Sequence, residues 1–311
     1  MVERTLTLLL GARRYFAGQA LSPSFARALA RAAHEDRVEG ELAQLQRQFR
    51  VRPAGTWPSA ALIEGVRLGP DERQRDQWLC ADPVWLQADL STVRLMAWGN
   101  LGLTAEEAEA LLRPLKPLFG DAGFPIEQRE PEAWRLRIPR ESRLPTFPHP
   151  LDALGGDAFA QLGSGAEARR WRTLLAEAQV LLHEHPVNEA RRRAGRPPAN
   201  SLWFWGGGLW PDQVEGPVGT VVAVDPEVLG FAHAAGCPTT DAVDATRPGL
   251  IDLRPQRQWR VVEDVCDVAR AALGTGAIDA LVLDFADGHR VRFMQGQGWR
   301  FWCRPARDLS A

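Results

Sequence analysis

Short apolar runs that alternate with amphipathic helical patterns constrain the fold of this chain more than any other feature. The first run stops at a glycine, and Ser22-Pro23 then supplies an N-cap and a first-turn proline for a helix. Strand patterns at 5–10 and 219–224 are followed by helix patterns at 24–33 and 226–235, and a helix pattern at 261–273 is followed by a strand pattern at 279–284. Such alternation is typical of an α/β layer, so we expect a mixed sheet with helices on both faces.

The C-terminal part of the chain predicts an antiparallel edge for this sheet. Asp287-Gly288 is the strongest hairpin signal in the sequence, because an Asp-Gly pair supports the tight turns that join antiparallel strands. It lies between the apolar run that ends at Asp284 and an alternating segment at 289–294. A tryptophan-rich segment at 299–302 follows and is interpreted as a further part of this edge.

The middle of the chain has a different pattern, which predicts a smaller α+β domain inserted into the first. Thr104 and Glu107 form the capping box of a helix. Three apolar segments predict strands, at 78–83, 94–98 and 134–138. A long loop rich in proline and glycine follows, and loops of that length usually serve a function. We expect an α/β core at 1–79 and 166–311, with the inserted domain at 80–165.

Composition and charge exclude several classes of partner. The 37 basic residues against 39 acidic ones leave a net charge of -2, which gives no field to attract nucleic acid or an anionic membrane. The apolar run at 6–10 is far too short for a signal peptide core or a membrane span. The four cysteines lack any Cys-x-x-Cys pair, so a reducing cytoplasm fits best; they are Cys80, Cys237, Cys266 and Cys303.

One continuous stretch carries a specific motif. Between His185 and Gly208 the sequence reads HPVNEARRRAGRPPANSLWFWGGG, and PTFPHP at 145–150 precedes it. This combination resembles the archaeal-type cofactor-independent phosphoglycerate mutases of the alkaline phosphatase superfamily, whose chains carry a very similar run. Within that superfamily the sequence looks most like the Rpf-cluster E-type regulatory proteins of bacteria, which share NSLWFWGGG and a tryptophan-rich ending. The resemblance implies a reduced alkaline-phosphatase-like core.

The resemblance also implies a chemistry, for which this sequence lacks residues. Mutases of this family pass a phosphoryl group through a serine beside two divalent metals. Their ligands are an aspartate after the first strand, a D-x-x-x-H segment after a late strand and a later Asp-His pair. Here Gly11-Ala-Arg-Arg follows the first strand, and Asp284, Asp287 and His289 do not have the family's spacing. We therefore expect neither a metal site of the family's type nor a cofactor.

A remaining ligand site would depend on polar residues of the motif region. The candidates are His149, His185, Asn188, Arg191 and Asn200. Their ligand would be a small phosphorylated or carboxylated metabolite. Structural interpretations stay open, because histidines suit helix ends, a solvated basic helix end would explain Arg191, and an amide beside a strand often binds loop backbone.

Other features of the motif region are better explained by structure than by chemistry. His183 and His185 are two positions apart, so a helix would turn them to different faces. The glycines at 206–208 lack a helix N-terminus directly after them, which favours a tight backbone arrangement beneath tryptophans over a phosphate cradle. Trp203 and Trp205 share a strand face and are expected in the core.

These observations favour one function and leave two alternatives open. The favoured function is that of a phosphoglycerate-mutase-like protein without the metal ligands, retained as a regulatory or metabolite-sensing protein. The first alternative is an active mutase or phosphatase with a rearranged site. The second is a scaffold whose C-terminal hairpin and tryptophans contact a protein partner. Whether the chain is an enzyme stays open, although nucleophile motifs such as G-x-S-x-G are absent.

Overall fold

The chain forms two compact units. The computed structural model describes residues 3–89, 92–155, 165–297, 304–305 and 308–309. Unit 1 contains Met1–Val51 and Gln213–Ala311, and unit 2 contains Arg52–Asp212. Unit 2 is thus a continuous segment between the two parts of unit 1. Its ends lie at 52 and 212, whereas the sequence pattern placed the inserted domain at 80–165.

Both units combine strands and helices. The strands are β1 (Thr5–Leu10), β2 (Ala33–Asp36), β3 (Arg50–Arg52), β4 (Asp76–Ala88), β5 (Val93–Trp98), β6 (Ile126–Glu130), β7 (Ala133–Pro139), β8 (Ser201–Gly208), β9 (Gln213–Glu215), β10 (Thr220–Val222), β11 (Thr239–Thr240), β12 (Gly249–Leu253), β13 (Ala280–Phe285) and β14 (His289–Met294). The helices are α1 (Pro23–Arg31), α2 (Glu41–Gln48), α3 (Ser59–Gly65), α4 (Pro70–Arg73), α5 (Ala105–Leu112), α6 (Leu115–Asp121), α7 (Pro150–Ala153), α8 (Ala166–His183), α9 (Pro186–Arg193), α10 (Pro226–Ala234) and α11 (Trp259–Thr275). Among the described residues, no helix combines the length and the apolar character needed to cross a membrane.

Unit 1 is built around a seven-stranded sheet in the order β11-β10-β12-β1-β13-β14-β2. The central strand β1 lies parallel to both neighbours, with Leu8 opposite Ile251 of β12 and Leu283 of β13. Strand β14 runs antiparallel to β13, and β2 runs antiparallel to β14 at the edge of the sheet. The prediction of a mixed α/β sheet is therefore confirmed.

Helices cover both faces of this sheet. On one face, Leu8 packs in an apolar cluster with Phe25 of α1 and Trp259 of α11, whose rings are 5.2 Å apart edge to face. Strand alternation turns Asp284 of β13 to the opposite face, where Arg47 of α2 binds it. The sheet is thus enclosed by apolar helices on one side and reached by a polar helix on the other.

The hairpin predicted at Asp287-Gly288 joins β13 to β14. Gly288 has a φ of +83°, and a Cβ there would lie 2.2 Å from the carbonyl oxygen of Arg37, so that glycine is required. The helix predicted at 24–33 ends earlier, at Arg31, because Ala33 already pairs with β14 in the edge strand β2. The segment 299–302 lies outside the described residues.

Unit 2 contains an antiparallel sheet in which the long strand β4 contacts three others. Strand β4 pairs with β7 through its first half and with β5 through its second half, while β8 pairs with it from Trp78 to Val84. Helix α8 packs on this sheet, with the ring of Trp171 5.0 Å from that of Phe204 in β8. Because β8 and α8 complete the sheet and core, this unit extends to 212 and does not end at 165.

Candidate functional site

Three aspartates lie at one edge of the sheet in unit 1. The parallel strands β1, β10, β12 and β13 all end at this edge, and ligands of open α/β sheets bind outside the carboxyl ends of the strands. Asp252 lies near the end of β12, Asp284 near the end of β13, and Asp225 shortly after β10. The carboxyl ends of these strands are therefore the place to look for a ligand site in unit 1.

An arginine lies between two of these carboxylates. One Nη of Arg254 is 2.8 Å from an oxygen of Asp225 and 2.7 Å from an oxygen of Asp252, and the Nε is 2.8 Å from the other oxygen of Asp252. Glu41 of α2 lies 3.4 Å from the second Nη. The side chain of Arg254 is only 5% exposed. The guanidinium therefore forms ion pairs with two aspartates at once.

The protonation of this arginine is fixed by its partners. Burial disfavours the charged form of Arg254, but the hydrogen bonds and charge of Asp252, with the charge of Asp225, outweigh it and raise the pKa of the guanidinium. The positive charge at this position is therefore permanent. A buried carboxylate needs such a cation or a metal, because an unpaired buried charge is very costly.

The third aspartate has arginine partners of its own. Arg47 of α2 binds the buried carboxylate of Asp284 with two nitrogens, at 2.6 and 3.0 Å, and the Nε of Arg290 lies 3.2 Å from it. Gln44 of α2 donates to the backbone carbonyls of Leu10 and Asp284, at 3.0 and 2.6 Å. Helix α2 thus closes the ends of β1 and β13 with polar side chains.

The residues after the first strand leave little room for a metal ligand. A Cβ on Gly11 would lie 2.8 Å from the ring of Tyr15 and 3.2 Å from the carbonyl oxygen of Arg254. Arg13, two residues later, binds Asp287 of the hairpin through its Nε at 2.9 Å. Asp287 is therefore also paired with an arginine.

These contacts show that the carboxyl ends of the parallel strands do not fit two divalent metals. Each of the aspartates there already has a guanidinium partner at 2.6–2.9 Å, and a metal would compete with that cation for the same oxygens. Over the described ranges, no group of three or more His, Cys, Asp or Glu side chains is placed to hold a metal ion. The edge is a network of ion pairs.

A cavity of about 510 Å³ lies on the face of the unit 1 sheet that carries Asp284, near the amino ends of β1, β10 and β12. Its lining includes Thr5, Thr7 and Gly249 from these strands. Five arginines and one glutamate, Glu3, line it; the arginines are Arg37, Arg47, Arg50, Arg290 and Arg292. All but Arg50 are already paired with a carboxylate of Glu3, Glu35 or Asp284. Arg50 is exposed and has no ion-pair partner within the part of the chain that the structure describes. This lining suits a small anion.

The two histidines predicted as ligand contacts are helix caps in unit 2. His149 begins α7 and His185 begins α9, each followed by a proline in the first turn. The Nδ1 of His149 accepts from the backbone N–H of Leu151 at 3.3 Å, and that of His185 accepts from Val187 at 3.2 Å. Burial lowers the pKa of His185, against the raising effect of a hydrogen bond with the Ala110 backbone. Low pKa favours the neutral ring that a cap requires.

Asn188 and Arg191 are fully buried in unit 2 and bind backbone. The amide of Asn188 donates to the carbonyls of Leu182 and Ala199 at 2.7 and 2.8 Å, and its oxygen accepts from the Ala199 N–H at 2.9 Å. Arg191 pairs with Glu107 at 2.6 Å and donates to the carbonyls of Leu101, Gly102 and Pro197. A ligand would have to break these bonds to reach either side chain.

Asn200 also binds backbone. Its side-chain amide makes the two hydrogen bonds that a residue of a neighbouring strand would otherwise make with Leu86. Its oxygen accepts from the Leu86 N–H and its nitrogen donates to the Leu86 carbonyl, both at 2.8 Å. These bonds lie where the pairing of β4 with β5 shifts register between Trp85 and Leu86. The five candidate residues therefore do not converge on a common cleft but support separate turns of unit 2.

The tryptophans and glycines of the motif have packing roles. Trp203 and Trp205 are buried, as predicted, and the indole N–H of Trp205 donates to the buried Asp82 at 2.8 Å. Gly206 has a φ of +63°, and a Cβ there would lie 2.8 Å from the Cβ of Ser59 on α3. The glycine allows α3 to pack directly on β8, which agrees with the tight backbone arrangement expected from the sequence.

The sequence did not predict the arginines at the carboxyl ends of the parallel strands. Asp225 and Asp284 carry a visible signal, since each closes or follows a predicted apolar strand, whereas the strand of Asp252 was not predicted. Arg47 and Arg254 belong to a separate helix and to a loop. Arg47 is more than two hundred residues from Asp284 in the chain. Nothing local in the sequence pairs the two.

Comparison with known proteins gives relatives of a single kind. A 2,3-bisphosphoglycerate-independent phosphoglycerate mutase from Methanothrix thermoacetophila is 33% identical over 157 residues, which are 48% of this chain and 38% of that protein. A probable enzyme of the same name from Geobacter sulfurreducens is 24% identical over 213 residues, or 66% of this chain and 52% of that protein. The chain resembles cofactor-independent phosphoglycerate mutases. The resemblance expected from the motif run is thus confirmed.

The extent of this resemblance is limited. The matched part of the chain spans about half or less of the length of these two mutases. No family model matches the chain. The solved cofactor-independent phosphoglycerate mutase from Thermoplasma acidophilum aligns with 95% of this chain and 90% of its own, at 15% identity and a TM-score of 0.46.

Proposed function

We propose that this chain is a phosphoglycerate-mutase-like protein that binds a small anionic metabolite in a regulatory or sensing role and does not transfer phosphoryl groups. The observation that carries this proposal is the position of Arg254, whose buried guanidinium joins Asp225 to Asp252 at the carboxyl edge. In mutases of the kind it resembles, divalent metals activate the nucleophile and neutralise the transferred phosphate. A guanidinium has no exchangeable coordination position, so it supplies the charge without that chemistry.

The ligand of this protein would be a phosphorylated or carboxylated metabolite. Arginine favours such groups, because its planar fork matches a carboxylate or phosphate with two parallel hydrogen bonds. The arginine-lined cavity of unit 1 is large enough for a three-carbon acid, and among the described residues Arg50 is free there to bind one. We place the ligand there and not at the five motif residues, since Asn188, Arg191 and Asn200 bind backbone groups.

A binding experiment tests this site. The thermal unfolding of the tag-free chain is followed with increasing 3-phosphoglycerate, against sodium chloride of equal ionic strength. We expect 3-phosphoglycerate to raise Tm because it binds the folded state. Arg50→Ala should weaken the apparent affinity about tenfold, since one charge-assisted contact is lost. Arg50 is exposed, so this variant should fold normally.

The matched control is Arg260→Ala, which removes an exposed arginine of α11 outside the cavity. It should respond to 3-phosphoglycerate as the wild type does. A wild type that gains no stability at millimolar 3-phosphoglycerate contradicts the proposed ligand class. An Arg50→Ala variant that keeps the full response contradicts the proposed cavity.

A further inference from the structure

Two histidines face each other at the edge of the sheet in unit 1. His34 lies on β2 and His289 at the start of β14, and the Nδ1 of His34 is 3.1 Å from the Nε2 of His289. His34 is opposite Val291, two residues after His289, so the pairing register turns both rings to the same face. Asp284 and Arg290 project from the other face. The histidine pair is therefore separate from the network of arginines and aspartates.

The outer nitrogen of each ring already has a partner. The Nε2 of His34 is 2.9 Å from the carbonyl oxygen of Leu29, which only accepts, so this nitrogen carries a proton. The Nδ1 of His289 is 3.0 Å from a carboxylate oxygen of Asp36 and donates to it. In neutral rings the two inner nitrogens then face each other as lone pairs at 3.1 Å, and they form a hydrogen bond only when the pair takes up one further proton that both rings share.

We propose that His34 and His289 bind one divalent transition metal ion, of the class of Zn²⁺ or Co²⁺, in place of that shared proton. Two metal–nitrogen bonds of about 2.0–2.1 Å at a tetrahedral angle hold the nitrogens about 3.3 Å apart. The 3.1 Å of this structure is within a small ring movement of that separation. Imidazole nitrogen is a preferred ligand of these ions.

The surroundings of the pair are those of metal-binding histidines. Such histidines donate their other ring N–H to a carboxylate or a backbone carbonyl, which fixes the tautomer and the orientation of the ring. Here Asp36 does this for His289, and the Leu29 carbonyl does it for His34. Both outer hydrogen bonds persist when an ion replaces the inner proton. Water completes the coordination, because the described residues group no third His, Cys, Asp or Glu with the pair as a ligand.

The test is a titration of the tag-free, chelator-treated full chain with Co²⁺, followed by visible absorption, and with Zn²⁺, followed by calorimetry. We expect one ion per chain in the wild type. His34→Gln and His289→Gln should each lower the affinity about tenfold or more, while keeping a side chain that forms hydrogen bonds. Asp36→Asn should lower it about 10–100-fold without touching the ion, as second-layer partners of metal sites do.

The control is His233→Ala, which removes an exposed imidazole of α10 in the same unit and should not change the affinity. Circular dichroism and the urea midpoint confirm that each variant is folded. A wild type that binds no Co²⁺ at a one-to-one ratio overturns the proposal. A His34→Gln/His289→Gln double variant that binds as tightly as the wild type also overturns the proposal, since the two imidazoles are then not the ligands.

Discussion

At the scale of single residues, arginines supply the positive charge beside the buried aspartates of unit 1. Asp252 and Asp284 are nearly inaccessible, so each needs a cation within hydrogen-bond distance. Arg254 and Arg47 meet this need with two nitrogens each, which a carboxylate binds as a matched pair. A guanidinium stabilises a buried carboxylate as a bound cation would, but it offers no open coordination position of the kind a catalytic metal has.

Removal of Arg254 should therefore lower the stability of the folded state strongly. Arg254→Met leaves Asp252 buried without its cation, and we expect the free energy of unfolding in urea to fall by about 3–5 kcal/mol. Asp252→Asn combined with Arg254→Met should recover part of that loss. The comparison variant is Arg260→Ala, whose exposed ion pair with Asp264 should be worth less than about 1 kcal/mol. Equal losses in the two arginine variants would contradict the role given to Arg254.

At the scale of secondary-structure elements, polar side chains of the motif region cap helices and hydrogen-bond to the backbone of strands. Four helices open with a capping side chain followed by proline, at Ser22, His149, His185 and Asp225. The serine cap was recognised from the sequence, because serine is a common N-cap. The histidine caps were not, since histidine has many other roles and only the backbone N–H two residues later shows this one.

The His185 cap predicts a pH dependence of stability. Burial lowers the pKa of His185 below its ordinary 6.5, so the folded state binds this proton less tightly than the unfolded chain. The stabilisation is thus complete above about pH 6.5 and is lost as the pH falls below it. His185→Asn keeps a capping side chain that does not titrate. Between pH 7.5 and 5 the wild type should lose more stability than this variant in urea unfolding, by less than about 1 kcal/mol because solvent screens the half-buried ring.

The pH experiment has a control in the preceding helix. His183 is exposed near the end of α8, so His183→Asn should show the same pH profile as the wild type. If His185→Asn loses as much stability on acidification as the wild type, the ring of His185 is not the titrating cap.

Asn188 tests whether the motif supports the fold or binds a ligand. Asn188→Ala removes three hydrogen bonds at a fully buried position and should cost about 1–3 kcal/mol in urea unfolding. The response of Tm to 3-phosphoglycerate should stay as in the wild type. Asn100→Ala, at an exposed position of the same unit, should change stability by less than about 0.5 kcal/mol. A stable Asn188→Ala variant that no longer responds to 3-phosphoglycerate would return the ligand to the motif.

At the scale of the whole molecule, local patterns predicted the elements better than their grouping. The core strands β1 and β13 and the helix α8 follow from apolar periodicity and turn signals, and so does the hairpin at Asp287-Gly288. The boundary between units was displaced because β8 pairs with β4, more than a hundred residues earlier. Strand β12, five residues between Pro248 and Pro255, gave no strand signal although it lies beside β1.

The candidate site was predictable only in part, for the same reason. The departure from the ligand pattern that the resemblance implies is visible in the sequence, at Gly11-Ala-Arg-Arg and in the spacing of Asp284, Asp287 and His289. Asp252 and Arg254 are two residues apart, but the pairing of Arg254 with Asp225 and of Arg47 with Asp284 is tertiary, and a sequence shows those acids without their partners. The ligand was placed at the motif because a recognisable motif suggests function, whereas the folded chain uses those side chains for support.

The interconversion of 3-phosphoglycerate and 2-phosphoglycerate tests the central claim most directly. The tag-free chain is assayed with Mn²⁺, Mg²⁺, Co²⁺ and Zn²⁺ in turn, beside an active cofactor-independent mutase. Because arginines hold the carboxylates of the sheet edge, the account predicts no turnover above the protein-free blank with any of these ions. Turnover that depends on an added ion, and that a chelator abolishes, would contradict it.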